Sequence, residues 1–278
     1  MTKIFAGACA FFILLHVQVS GQSTTGSAYN AFGFGSLNNS GLTEFSQLGY
    51  TGIGARLASS VNLENPAALT SIVGPNHSFD IGLNITQLNQ FNSSSSFSTA
   101  IGGLSSMNFW VKSGKKTAFS FGLSQYSDAR YDVTDLSTSS ALVGAYEVRY
   151  QGSGGLSQLY GAVGYDVFPR LSLGFRGGLI FGSLTKTQTM SGNSLVDGTS
   201  IIQEMNVARA VYDVGLQYNV PLGKSKSLTL GVTYQPSFSV SYDIDQSILR
   251  SGYDTLTSES DGRKVIPEKL GAGFQLAL

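Results

Sequence analysis

The sequence predicts an all-β fold, a transmembrane antiparallel β-barrel preceded by a segment that does not alternate. Three observations carry this. Apolar and polar residues alternate with a period of two over runs of about nine residues or more, as a half-buried strand requires. The polar side of those runs holds Gly, Ser, Thr, Asn and Gln, where a water-facing sheet holds Lys, Glu and Arg. The joints between runs alternate long and short, the asymmetry of an outer-membrane barrel. Composition agrees: 12% of the 278 residues are charged, against roughly 25% in an average soluble domain. Lys plus Arg and Asp plus Glu number 17 each, so no net field exists to gather nucleic acid.

Residues 1–22 read as a secretory leader. Lys3 gives the positive start, Ile4 to Val17 an apolar run, and Val19-Ser20-Gly21 small residues for cleavage near Gln22. The run of about 14 residues is shorter than the roughly 20 of a spanning helix. The single cysteine, Cys9, lies inside it, so the mature chain is expected to hold together without disulfides or thiolate metal sites. Residues 23–76 are rich in Gly, Ser, Asn and Ala and do not alternate. They include Gly33-Phe34-Gly35, Gly49-Tyr50-Thr51-Gly52-Ile53-Gly54 and Glu64-Asn65-Pro66-Ala67-Ala68-Leu69, and such a segment must fold against something else.

Residues 77–278 hold the strands, expected at about 78–88, 101–112, 117–127, 145–167, 170–187, 207–219, 227–243 and 266–278. From Leu228 to Tyr242 every even position except Pro236 is Leu, Val, Tyr or Phe, and every odd one is Gly, Ser, Thr or Gln. The short joints Ser113-Gly114-Lys115-Lys116, Phe168-Pro169 and Leu222-Gly223-Lys224 are expected in the periplasm. The long ones, near 93–96, 137–140, 190–197 and 254–261, are expected outside. Keeping 145–167 as one strand requires a bulge at Gly154-Gly155. A secreted sandwich alternates equally well; the chemistry of the polar face and the strand lengths favour lipid on the apolar side.

The motifs ahead of the first strand, Gly52-Ile53-Gly54-Ala55 and Asn65-Pro66-Ala67, resemble those of the FadL-type outer-membrane importers of long-chain fatty acids and aromatic hydrocarbons. Gly231-Val232-Thr233-Tyr234-Gln235-Pro236 and Pro267-Glu268-Lys269-Leu270-Gly271 extend the likeness. The resemblance implies that 23–76 is a hatch inside a wall of about 14 strands; with eight strands, either the wall continues beyond this sequence, which is the favoured expectation, or a partner completes it, or the hatch lies outside. It implies passive uptake of a hydrophobic small molecule, with outer-membrane lipid around the wall. It places the hatch motif at Asn65, Pro66 and Ala67, and a lateral opening in the third strand at Gln125, Tyr126, Ser127 and Asp128. An ordinary Asn-Pro turn and a strand that has simply left the bilayer are the plainer alternatives.

For a ligand, Arg176 and Ile180 fall on the nominal inner face of the fifth strand, and Trp110 and Leu104 on one face of the second. A neutralising role for Arg176 and an interfacial one for Trp110 stand beside that reading. No cofactor is expected and no enzyme activity: the mature chain has one histidine, His77, and no Gly-x-Ser-x-Gly. The alternative function is that of a non-transporting barrel serving protein secretion or assembly, with a protein partner.

Overall fold

The computed structural model describes residues 26–38, 45, 49, 51–74, 76–91, 96–135, 139–140, 144–192, 198–223, 226–250, 253 and 255–277. The leader expected over residues 1–22 lies outside the described residues. One antiparallel sheet dominates, formed by β1 (His77–Phe91), β2 (Ser96–Ser113), β3 (Thr117–Gln125), β4 (Tyr131–Asp135), β5 (Glu147–Phe168), β6 (Leu171–Ser191), β7 (Thr199–Pro221), β8 (Ser227–Gln235), β9 (Phe238–Arg250), β10 (Leu256–Ile266) and β11 (Lys269–Ala277). β8 and β9 pair in turn with the two halves of β7, and β10 and β11 pair with β9 and β8. β3 and β4 both pair with β5. The eleven segments therefore make eight ribbons in up-and-down order, as the alternation predicts. The last ribbon starts at Leu256, ten residues earlier than expected, and the sixth at Thr199.

β1 and the β10–β11 ribbon lie at opposite ends of the sheet, and among the described residues no pairing joins them. Among the described residues the wall is thus an open sheet, and closure into a barrel is not observed.

The two faces differ. Toward one face point Ser106, Asn108, Trp110, Ser120, Gln158, Tyr160, Ser172, Arg176, Asp213, Gln217 and Thr229, all largely buried, and residues 51–74 lie across them. The opposite face carries Phe79, Ile81, Phe121, Leu159, Phe175, Leu179, Leu216, Leu230 and Phe274, each 39% exposed or more. An exposed apolar area of this extent marks a surface that a protein partner or lipid covers.

Three expectations about facing need correction. In β2 the pairing jumps from Gly82↔Ser106 to Leu83↔Leu104. This bulge turns Leu104 to the bare face, 45% exposed, while Trp110 is wholly buried on the other. In the seventh ribbon, pairing resumes beyond Val214↔Tyr234 at Val207↔Tyr242, so β7 advances seven positions while its partner advances eight. The extra residue falls at Pro236-Ser237, where proline cannot continue the ladder. Leu230, Val232 and Tyr234 consequently face outward, but Phe238 and Val240 turn in and are buried. The ribbon at Pro267-Glu268 breaks at the same level. Conversely, β5 runs through Gly154-Gly155 against Leu184 and Ser183 with no register shift, although Gly154 adopts φ +87°.

Two cores result. Val61, Leu63, Leu69 and Ile72 of the segment pack on Trp110, Ala118, Tyr160 and Ala162. Phe34, Tyr126, Ala129, Leu156, Ile180 and Leu184 join the turned-in Phe238, Val240 and Ile266 in the other.

Candidate functional site

The site is built where residues 51–74 cross the sheet. Asn65 organises it. Its Oδ1 accepts from Ala67 N (3.0 Å) and so caps a 3-10 helix, Pro66–Ser71, whose first position is a proline that needs no partner for its missing N–H. Its Nδ2 donates to the carbonyls of Ile53 (2.9 Å) and Leu216 (3.2 Å), and more distantly to that of Val232 (3.5 Å). One buried amide thus ties the segment to itself, to β7 and to β8. Asn65→Ala removes a cap and strands buried carbonyls, a loss of roughly 2–4 kcal/mol, to be read as a lowered unfolding midpoint in detergent.

Glycines let the backbones meet. A β-carbon at Gly174 would overlap Pro66 and Ala67, and one at Gly215 would overlap Asn65. Beside them Arg56 spreads over the polar face, donating to Ser172 Oγ (2.7 Å), Thr70 Oγ1 (3.0 Å) and Gln217 Oε1 (3.3 Å), with Asp166 at 3.8 Å. Thr70 and Ser172 both donate to the Asp166 carboxylate, at 2.6 Å each, and Gln217 donates to the carbonyls of Ile53 and Ala55. Trp110 Nε1 donates to Leu69 O (3.0 Å) and Lys112 Nζ to Ile72 O (2.9 Å). Nothing in the alternation marks these partners beyond their being polar on the inner face.

At the level of the two proline breaks lies a cavity of about 510 Å³ lined by Leu63, Glu64, Tyr126, Arg176, Ile180, Asp213, Tyr234 and Lys269, among others. Arg176 and Ile180 meet here; Trp110 and Leu104 lie outside it. The Arg176 guanidinium bonds Asp213 (2.7 Å) and the Leu63 carbonyl (3.0 Å), and Ile180 is a core residue. Burial raises the pKa of Glu64, opposed by Arg176 and Lys269. A carboxyl raised in the folded state favours folding below its unfolded pKa, and that contribution is lost as the pH rises through the folded value. Glu64→Gln is therefore expected to flatten the part of the stability profile that falls with rising pH just above the ordinary carboxylate range, measured as midpoints of wild type and variant from pH 4 to 8.

Gln125, Tyr126, Ser127 and Asp128 sit where β3 leaves the sheet. Tyr126 N donates to Leu156 O, Ser127 Oγ accepts from Leu156 N, and Ser127–Asp128 pairs with Ser36–Leu37. Asp128 is held by a forked bond from Arg130. The chain returns as β4 beside β5, where Gly152 makes room for the Tyr131 ring. Among the described residues no group of three or more His, Cys, Asp or Glu is placed to hold a metal.

The fold and site define an all-β protein with one large antiparallel sheet, one apolar face, and an N-terminal segment pinned across the other. A family model, BamG, matches residues 1–269, and the chain belongs to that family. Membership associates it with the bacterial outer membrane. No curated protein and no solved structure matches it. The family match overturns the expected membership of the FadL-type importers, and with it the uptake of fatty acids or aromatic hydrocarbons. Arg176, weighed in the sequence for a ligand carboxylate or for neutralising an inner carboxylate, is bonded to Asp213.

Proposed function

We propose that the chain is an accessory of outer-membrane β-barrel assembly, a wall in the membrane that acts by binding protein partners and not by catalysis. The observation that carries this is the match to the BamG family over residues 1–269. The apolar face supports the membrane part. On β6 the outward residues are apolar or glycine from Leu171 to Phe181, then become Ser183, Thr185 and Thr187. Ten steps of about 3.3 Å at a tilt of about 40° give roughly 25 Å, the height of a barrel's apolar band. Just beyond it, on the same face, run the rows Thr185–Glu204–Asp245–Glu259 and Ser183–Asn206–Asp243–Asp261, which belong in water. The pinned segment then fills the inner side of the wall.

Depletion from the native bacterium is expected to lower the outer-membrane content of other barrel proteins several-fold, and a tagged chain to co-purify stoichiometrically with the assembly machinery. Unchanged barrel content together with no co-purifying machinery would remove the proposal.

A further inference from the structure

The sheet has an internal edge. β3 pairs with β2 only from Ser106 to Ser113, because the chain turns inward after Gln125 and returns against β5. The departing residues satisfy β5: Leu156 O accepts from Tyr126 N, Leu156 N donates to Ser127 Oγ, and Gly154 O accepts from Ala129 N. On the other side, residues 102–104 of β2 pair with β1 alone, and Ser105 is the unpaired residue of the bulge. Between the two lies a notch of about 420 Å³.

Its walls suit a polypeptide backbone. Gly102, Gly103 and Ser105 line the β2 side and Gly154 and Gly155 the β5 side, with Leu123, Gln125, Arg130 and Leu156 completing the lining, so on β2 itself the only long side chain of the edge is Leu104, which is turned to the bare face. Ser106, 4% exposed, also lines the notch, and its hydroxyl has no hydrogen-bond partner among the described residues. On the outward face the flanking residues are Leu104 and Leu159. An acyl chain offers nothing to peptide groups or a hydroxyl, and in hydrocarbon such groups require partners. An extended strand supplies them.

We infer that the β2 edge at residues 102–105 accepts an extended strand of another membrane barrel by main-chain hydrogen bonding, with small polar side chains toward Ser106 and apolar ones toward lipid. This rests on the membrane and assembly reading above.

The test uses the full chain with Cys9→Ser, reconstituted in phosphatidylethanolamine vesicles. Gly103→Cys or, as control away from the notch on β6, Leu173→Cys, which is exposed and paired on both sides, carries a benzophenone label. A β-carbon at Gly103 meets its nearest neighbour at 3.9 Å, so the label site is tolerated. The probe is a biotinylated ten-residue peptide alternating Val and Thr. Cross-linking at position 103 is expected to exceed that at 173 at least ten-fold, and to fall at least ten-fold when every second residue of the peptide is proline. Equal yields at both positions, an undiminished yield with the proline peptide, or phospholipid alone captured at 103 would overturn the inference. The assay uses purified protein, so its failure is separable from failure of the assembly reading, which depletion tests.

Discussion

Gly174→Ala is expected to lift the N-terminal segment off the sheet and to red-shift the fluorescence of Trp110, the chain's single tryptophan. The indole is wholly buried and bonded to Leu69 O, so its emission reports whether residues 51–74 are seated. An added methyl at 174 overlaps the backbone of Pro66 and Ala67, atoms that cannot rotate aside as a side-chain tip does. Overpacking a well-filled core costs about 1–3 kcal/mol, occasionally more, and three rigid backbone atoms put this case at the upper end. Gly161→Ala is the control: a β-carbon there meets nothing within 4 Å, and emission and unfolding midpoint should stay at wild-type values. A red shift in both, or in neither, would show that the close approach does not hold the segment.

Arg176→Met is expected to destabilise by about 3–5 kcal/mol, because it leaves the carboxylate of Asp213 buried without its partner. Both side chains are 11% exposed and 2.7 Å apart, so water does not replace the guanidinium. Loss of the bond to Leu63 O adds to the effect. Arg176→Met combined with Asp213→Leu should recover much of the loss, since an apolar pair of similar volume removes the uncompensated charge. Denaturant unfolding of the two single variants and the double variant decides this; a double variant as unstable as the sum of the singles would refute the ion-pair account.

Strand number, direction and most turns were readable because they follow from local periodicity and turn residues. The hydrophobic pattern of β6 and β7 also assigned the faces correctly. Facing went wrong where one extra residue changes the phase of a ribbon. Phe238 continues the even apolar series of Leu230 and Val232 in the sequence, yet the break at Pro236-Ser237 sends it to the opposite side. Leu104 fails in the same way at the β2 bulge. Proline at position 236 was a visible warning; nothing local announces the bulge at 104–106.

In the site, Asn65-Pro66-Ala67 was identified as important, and its chemistry is that of a capped helical turn seated on glycines. That chemistry is not particular to one family, which is why a likeness resting on it pointed to importers while the family match did not. Arg56, Asp166 and Gln217 were missed because they are 51 positions or more apart in the chain and meet only when the segment lies across the sheet.

The anchors of Asn65 also set an order of events. Its amide reaches carbonyls 151 and 167 residues later in the chain, and Arg56 N donates to Gln275, 219 residues away. Contacts of such sequence separation form late, after the loops between them have closed. During its passage to the membrane the chain therefore carries residues 51–74 undocked until the ribbons at its far end have been made. Any holdase that escorts it must shield the beginning of the polypeptide for as long as the end is unfinished.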